Sequence, residues 1–433
     1  MPDFATSFVL FFGLLLVMIG AGLWLFVSII LVGVAALYFD AGYTMQRIGT
    51  LLQTTTWSSA RAWELSAIPL FIWMGELLIR SNIAAALFDA ITPLTRRIPG
   101  GLIHTNVFGS TLFACVSGST AATTATIGKI TLPILARQNY PRGLSLGSMA
   151  GSGSIGILIP PSIPLIVYGV LAQVSIADLF IAGVMPGLLV AALFSGFIVI
   201  ASLYSKSGKG LAPASTVSVL KALLDILPFT AIIGSVIAGI YTGVATPSEA
   251  AVLGLGATLI LILCRGQFSL AMLRDTLHST VHTSCMIGIL LVASGFLSSA
   301  MSLLHVPQQA GAAISSLDLS PYTLILIMTL FYILLGCVLD GVSMMVMTLP
   351  ITAPIMIAAG FDPIWLGIFF VLTMEMGLVT PPIGFNLFIV RGITGESIGR
   401  IALASMPFFA LLCLAIALLT VFPSIALWLP SNM

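Results

Sequence analysis

Charged side chains make up 7% of these 433 residues. A soluble globular domain carries about 25%. With 59% hydrophobic residues and a mean hydropathy of +1.18, the chain reads as a polytopic α-helical membrane protein. The formal net charge is +1 and no basic run exists, so nothing points to nucleic acid. Five cysteines, Cys115, Cys264, Cys285, Cys337 and Cys413, stand singly in apolar segments. Their odd number and irregular spacing suggest neither a disulfide framework nor a zinc site. Histidine is scarce too, with four in the chain. His278 and His282 have helical i,i+4 spacing, but no Glu stands between them and no third ligand is in view. An intramembrane hydrolase needs a base held against a nucleophile, and four scattered histidines give it no support. No convincing A-x-A cleavage site follows the first apolar run, so residues 5–20 read as a retained helix.

Residues 151–165, GSGSIGILIPPSIPL, are apolar enough for a membrane span yet cannot form a continuous helix. Pro160 and Pro161 have no amide hydrogen, which frees the carbonyls of Gly156 and Ile157. A second copy stands at 377–387, GLVTPPIGFNL, where Pro381 and Pro382 free those of Gly377 and Leu378. Unpaired carbonyls in hydrocarbon persist only where protein, water or an ion satisfies them. Two broken helices in corresponding places of two halves point to a transporter's ion and substrate site. Gly151-Ser-Gly-Ser-Ile-Gly156 also spells G-x-G-x-x-G, but no βαβ unit surrounds it, so a dinucleotide site is set aside.

Lysine and arginine gather in cytoplasmic loops. Residues 5–39 form one long helix or two short ones. Residues 40–62 are polar and carry Arg47 and Arg61. A span from about Trp63 to Ile79 follows, ending at Arg80. Residues 101–136 are apolar, with basic residues at both ends, and one span needs roughly 20 residues. They read as a re-entrant hairpin with its tip at Ser117–Thr120. Broken helix 145–173 leads outward and 177–204 returns to Lys206, Lys209 and Lys221. Spans 222–241, 246–264 and 279–304 follow. A second hairpin is expected at about 318–358, a second broken helix at 362–390 and a last span at 401–429.

The expected organisation is thus an N-terminal scaffold at 1–62, a first repeat at 63–204, connecting scaffold helices at 205–278, and a second repeat at 279–433. The repeats are inverted, which places a site near the membrane midplane. Of fifteen Lys and Arg, only Arg47 and Arg61 fall outside, with Lys129 inside the first hairpin.

Ser117, Gly118, Ser119, Thr120, Thr123 and Thr124 lie at the first tip, and Asp340, Gly341 and Ser343 at the second. Hydroxyls and freed carbonyls are the oxygen ligands that hard cations take. Half-helix N-termini favour an anionic group. For any single Ser or Thr, close helix packing is the blander reading. Asp340 and Glu375 are acids in expected membrane segments, either functional or capping a helix break. Glu76 and Glu249 sit nearer span ends and read as structural.

Five stretches, in this order, resemble one family, the large membrane subunit of tripartite ATP-independent periplasmic (TRAP) transporters. They are AIPLFIWMGELL at 67–78, VSGSTAATTATIG at 116–128, GILIPPSIPLIVYGVLAQVSIADLFIAGVMPG at 156–187, GVATPSEAAVLG at 243–254 and GLVTPPIGFNLFIV at 377–390. The resemblance covers essentially the whole chain. It implies a sodium-driven importer of organic acids in the bacterial inner membrane, working as an elevator. Its partners are a small four-helix membrane subunit and a periplasmic substrate-binding protein. No extra N-terminal four-helix block is seen here, so the small subunit is expected as a separate protein.

By motif, the resemblance places one sodium at Ser117, Gly156, Ile159 and Pro161, and a second at Gly341, Gly377, Thr380 and Pro382. Substrate is expected between the tips, at Ser119, Thr120, Thr123, Asp340 and Asn386. Many relatives carry Asp where Thr123 stands, so substrate identity does not transfer simply. Arg47 and Arg61 are expected to dock the binding protein, or else to anchor a surface helix to lipid headgroups. The alternatives are a stand-alone sodium–dicarboxylate symporter of a related inverted-repeat fold and, from another class, the intramembrane hydrolase.

Overall fold

A computed structural model describes residues 4–81, 83–204, 219–306, 308–309, 312, 320–337, 339–381 and 384–432. All regular structure among them is helical. The open question at the N-terminus resolves into two helices, α1 (Phe4–Gly20) and α2 (Leu25–Ala35), followed by a π-helical turn at Ala36–Asp40. Gly22, at φ 85°, supplies the left-handed turn between them.

The polar stretch that follows is a helix, α3 (Met45–Ala60), begun by Thr44, whose hydroxyl accepts from the Arg47 amide. It bends by 55° into Trp63–Arg80, which contains α4 (Ala67–Arg80). Helix α5 (Ile83–Thr95) leads to a hairpin of α6 (His104–Ser117) and α7 (Thr120–Arg137). Next come α8 (Arg142–Ser152), a break, α9 (Ile163–Ala172) and the 29-residue α10 (Ile176–Tyr204). Helices α11 (Val219–Tyr241) and α12 (Pro247–Cys264) connect to the second half.

That half starts earlier than the sequence suggested. Helix α13 runs Leu270–Leu303, 34 residues, and not from 279. The polar residues that looked like a loop form the first turns of the helix. Ser269 caps it by accepting from the Met272 amide at 3.1 Å. Arg80 of α4 reaches across to Asp275 at 3.6 Å and donates to Ser279 at 2.8 Å. At 1.5 Å per residue the helix is about 50 Å long, well beyond a hydrocarbon core of about 30 Å. The hairpin α14 (Pro321–Gly336) and α15 (Gly341–Ala358) follows. Then come α16 (Pro363–Val379), a second break, α17 (Phe385–Thr394), α18 (Ile398–Val421) and the short α19 (Ser424–Leu427).

The order helix, hairpin, broken helix, helix therefore occurs twice, at α4–α10 and α13–α18. Among the described residues five helices are long and apolar enough to cross a membrane, or six with the bent α3–α4 pair as one. Among the shorter apolar helices, α9, α14, α16 and α17 each end at a hairpin turn or a break.

Water cannot cap helix ends inside a bilayer, so the sequence supplies the caps. Ser119, Ser162, Asp340 and Asp362 each accept an amide of the first turn they precede.

The two halves interlock. The second arm of each hairpin packs on the second part of the other half's broken helix, α7 on α17 and α15 on α9. At one end, Arg142 of α8 donates to Glu396 at 3.0 Å, and Arg400 donates to the other carboxylate oxygen at 3.1 Å. The Arg142 bond, aided by the charges of both arginines, holds the Glu396 carboxyl below the usual carboxylate range. A depressed acid contributes stability above its unfolded value, about 4.3, and loses it as pH falls through the folded value. Acidification below about pH 4 should therefore lower the melting temperature less in Glu396→Gln than in wild type. Equal losses would contradict the assignment.

Candidate functional site

Each hairpin tip lies against the helix break of its own half. At the first tip, Gly118 adopts φ 58° and faces the Ile163 side chain at the start of α9. Gly156, in the 3-10 turn Ile155–Ile157, sits so close to α6 that any side chain there would overlap the Ala114 methyl. Ile159 packs on Gly187 of α10, and Pro161 follows a cis peptide bond to Pro160. At the second tip, Gly336 and Gly377 bring α14 and α16 into backbone contact. The Cys337 thiol donates to the Pro381 carbonyl at 3.4 Å, and Gly341 lies against Met374. The expected first set, Ser117 with Gly156, Ile159 and Pro161, therefore belongs to one tip and break. The second set, Gly341, Gly377 and Thr380, belongs to the other, with Pro382 outside the described residues.

One carbonyl is less free than the prolines implied. Gly377 accepts from the Thr380 amide at 3.1 Å, because the last turn of α16 tightens to i→i+3 spacing. The Thr380 hydroxyl likewise donates to the Met376 carbonyl at 2.6 Å. A carbonyl oxygen has two lone pairs, so one remains on each.

A cavity of about 170 Å³ lies between the tips. Ser119, Thr120, Asp340, Gly341 and Glu375 line it, with Thr283 and Met286 of α13 opposite. The Ser119 hydroxyl accepts from the Ala122 amide and so starts α7. Asp340 does the same for α15, accepting from the Ser343 amide at 3.2 Å. Thr120 donates to Glu375 Oε1 at 2.8 Å, bridging the first hairpin to the second broken helix. Glu375 is 1% exposed, and the Ser154 hydroxyl is a second hydrogen-bonding neighbour of its carboxyl. A second cavity, about 620 Å³, opens between α3 and α13 on one side and α9 and α15 on the other. Ser58, Ser59, Ser298, Ser299 and Gln173 are among its lining, and none of its described lining residues is ionisable.

Two expected substrate residues line neither cavity. Thr123 is buried and bonds Ser117 at 2.8 Å, within the first tip. Asn386 is buried and bonds the Ala150 carbonyl and the Ser154 hydroxyl at 3.2 Å each, and accepts from Thr124 at 3.4 Å. It ties both broken helices to the first hairpin. The residues missed from sequence are Ser154, Ser110 and Ser152. Ser110 and Ser152 carry buried hydroxyls without partners near the first break. Serines at a helix break inside an apolar run were the available signal.

Arg47 and Arg61 stand exposed at opposite ends of α3, which the helical rise puts about 20 Å apart. Their guanidiniums lie 3.8 Å from the Tyr43 ring centre and 5.7 Å from that of Trp57. His104 pairs with Ser195 at 2.9 Å but also with the Pro99 carbonyl at 2.9 Å, is fully buried and lines neither cavity. That contact is a packing device, not a nucleophile and base. Among the described residues no group of three metal-ligating side chains occurs.

Two hairpins, two helix breaks and a cavity where they meet define a polytopic helical transporter. The same fold is found in the Neisseria gonorrhoeae antimetabolite efflux pump MtrF, with a TM-score of 0.65 at 12% identity over 99% of this chain and 95% of that one. Residues 12–425 match the DctM component of the tripartite ATP-independent periplasmic transporters, and the chain belongs to that family. It is therefore a transporter permease and not an enzyme. The C4-dicarboxylate TRAP transporter large permease of Pseudomonas aeruginosa is 31% identical over 85% of this chain and 86% of its own length. The ectoine/5-hydroxyectoine large permease of Ruegeria pomeroyi is 31% identical over 92% of each chain.

Proposed function

We propose that this chain imports a small organic acid across the bacterial inner membrane, driven by sodium. A periplasmic binding protein delivers the substrate, and a small four-helix subunit completes the membrane complex. The observation that carries this reading is the convergence of both tips and both breaks on one cavity, with Ser119, Thr120, Asp340 and Glu375 in its wall. The donor set suits a hard monovalent cation, being carbonyls and hydroxyls without a full charge. Near the first break, the unpartnered hydroxyls of Ser110 and Ser152 are oxygens to spare. One sodium falls to Ser117, Gly156, Ile159 and Pro161, the other to Gly341, Gly377, Thr380 and Pro382.

The hairpins are re-entrant, and the halves are inverted repeats occupying 63–204 and 270–433. They form a transport unit that slides as an elevator against the helices of 1–62 and 205–269. The larger cavity, lined by α3 of the one group and by α9, α13 and α15 of the other, supports a boundary there. Arg47 and Arg61, exposed on α3, dock the binding protein at the outer face.

The test is the melting temperature of the purified chain in sodium chloride and in choline chloride at equal ionic strength. A ligand that binds only the folded state stabilises it by about 2.7 kcal/mol at 100 times its dissociation constant. A sodium-specific rise is expected, reduced in Ser117→Ala and in Thr380→Ala. Identical curves in the two salts would overturn the sodium reading.

A further inference from the structure

We infer that Ser154 and Glu375 are positioning residues that couple the two hairpin tips, so that filling one sodium site raises the affinity of the other. This rests on the sodium reading above and adds how its two sites communicate. The two residues hold equivalent places in the broken helices. Each stands two residues before the glycine and six before the first proline of its break. The Ser154 hydroxyl is a hydrogen-bonding neighbour of the Glu375 carboxyl. The two breaks therefore touch through a matched pair of positions, close to Gly156 on one side and Gly377 on the other.

The contacts around this pair reach both tips. Met374 packs against Gly341 at the second tip, and the next residue, Glu375, accepts from Thr120 of the first at 2.8 Å. Two residues on, Gly377 meets Gly336 of the second hairpin. One short stretch of α16 thus bears on both hairpins. On the other side, Ser154 accepts from the Asn386 amide at 3.2 Å, which leaves its own hydrogen for Glu375. Thr120 opens the turn in which Thr123 bonds Ser117 at 2.8 Å. An ion that fixes Gly341, Gly377 and Thr380 holds the last turn of α16 and with it the Glu375 carboxyl. The carboxyl in turn holds Thr120, beside the Ser117 tip, and Ser154, beside Gly156. Thr120, Ser154 and Glu375 are all buried, so bulk water competes little for these bonds. Contiguous hydrogen-bonded networks of this kind carry coupling between sites, and coupling is reciprocal, so sodium at either site favours sodium at the other.

Amide hydrogen exchange of the full-length chain tests this, in sodium chloride and in choline chloride at equal ionic strength. In wild type, a sodium titration should protect segments 117–124 and 374–380 together, with a Hill coefficient approaching about 2 for two linked sites. Ser154→Ala leaves Asn386 its bond to the Ala150 carbonyl and Glu375 its bond from Thr120. It should nevertheless let the two segments titrate apart, each with a coefficient of about 1. Glu375→Leu should do the same. Glu375→Gln keeps an oxygen for Thr120 and offers an N–H to Ser154, and should restore most of the steepness. A bridge that only held the fold together would lower the melting temperature in these variants and leave the steepness alone. A second arm needs no sodium. In choline, Thr380→Ala removes the hydroxyl bonded to the Met376 carbonyl and should speed exchange at 117–124 about fivefold, the low end of typical coupling. Adding Ser154→Ala should confine that change to the second tip. The inference is overturned if the two segments titrate independently in wild type, or if Ser154→Ala and Glu375→Leu both keep the steepness. It is equally overturned if Thr380→Ala in choline leaves the first tip unchanged. A wild type whose exchange ignores sodium would instead overturn the sodium reading, and the choline arm would still decide whether the tips are coupled.

Discussion

Asn386→Leu should cost about 3–5 kcal/mol of stability. The amide is fully buried and touches three elements at once, α7 through Thr124, α8 through the Ala150 carbonyl, and the first break through Ser154. Leucine keeps the same branching and number of side-chain heavy atoms but leaves a carbonyl and two hydroxyls with fewer partners where no water competes. Each orphaned polar group costs about 1–3 kcal/mol. The expected result is a sharply lower melting temperature and a reduced monodisperse fraction on gel filtration. A variant that melts within about two degrees of wild type would show that Asn386 is not the tie described here.

The second large effect concerns Gly377→Ala. A methyl there comes within 2.5 Å of the Gly336 Cα and 3.0 Å of its carbonyl carbon. Those are backbone atoms, so no rotamer change relieves the overlap and the two helices must part. Overpacking of this kind costs about 1–3 kcal/mol, occasionally more. It also moves the second tip away from its break, so sodium stabilisation should fall along with the melting temperature. Gly196→Ala is the control, since its new methyl meets nothing within 4 Å and alanine favours the interior of α10. If both variants behave alike, the close crossing of α14 and α16 is not what holds the second tip in place.

Most of the helix order is legible in the sequence. Pro160, Pro161 and Pro381 announce their breaks because a missing amide cannot be disguised by context. The hairpin tip at Ser117–Thr120 is legible from a glycine among hydroxyls in a run too long for one span and too short for two. The start of α13 is not. Arg274 and Asp275 look like a loop until Arg80 is seen packed on the same helix. The inner wiring of the site is hidden for a related reason. Glu375 and Thr120 are 255 residues apart, and their meeting depends on how the halves interlock. Asn386 stands beside a conspicuous break, which draws it toward a substrate role. Its neighbours place it behind the cavity wall.

The interlocking of the halves has a consequence for synthesis. Helix α7 ends at residue 137 and its partner α17 starts at 385, so roughly 250 residues of translation separate them. At about 5–20 residues per second, the first hairpin waits about 12–50 s for its partner. During that interval Thr120 and Thr124 lack the acid and amide they will bond. A ribosome stalled between the halves would leave a nascent chain with those groups unsatisfied in the bilayer, and quality-control proteases have a signal by which to recognise it.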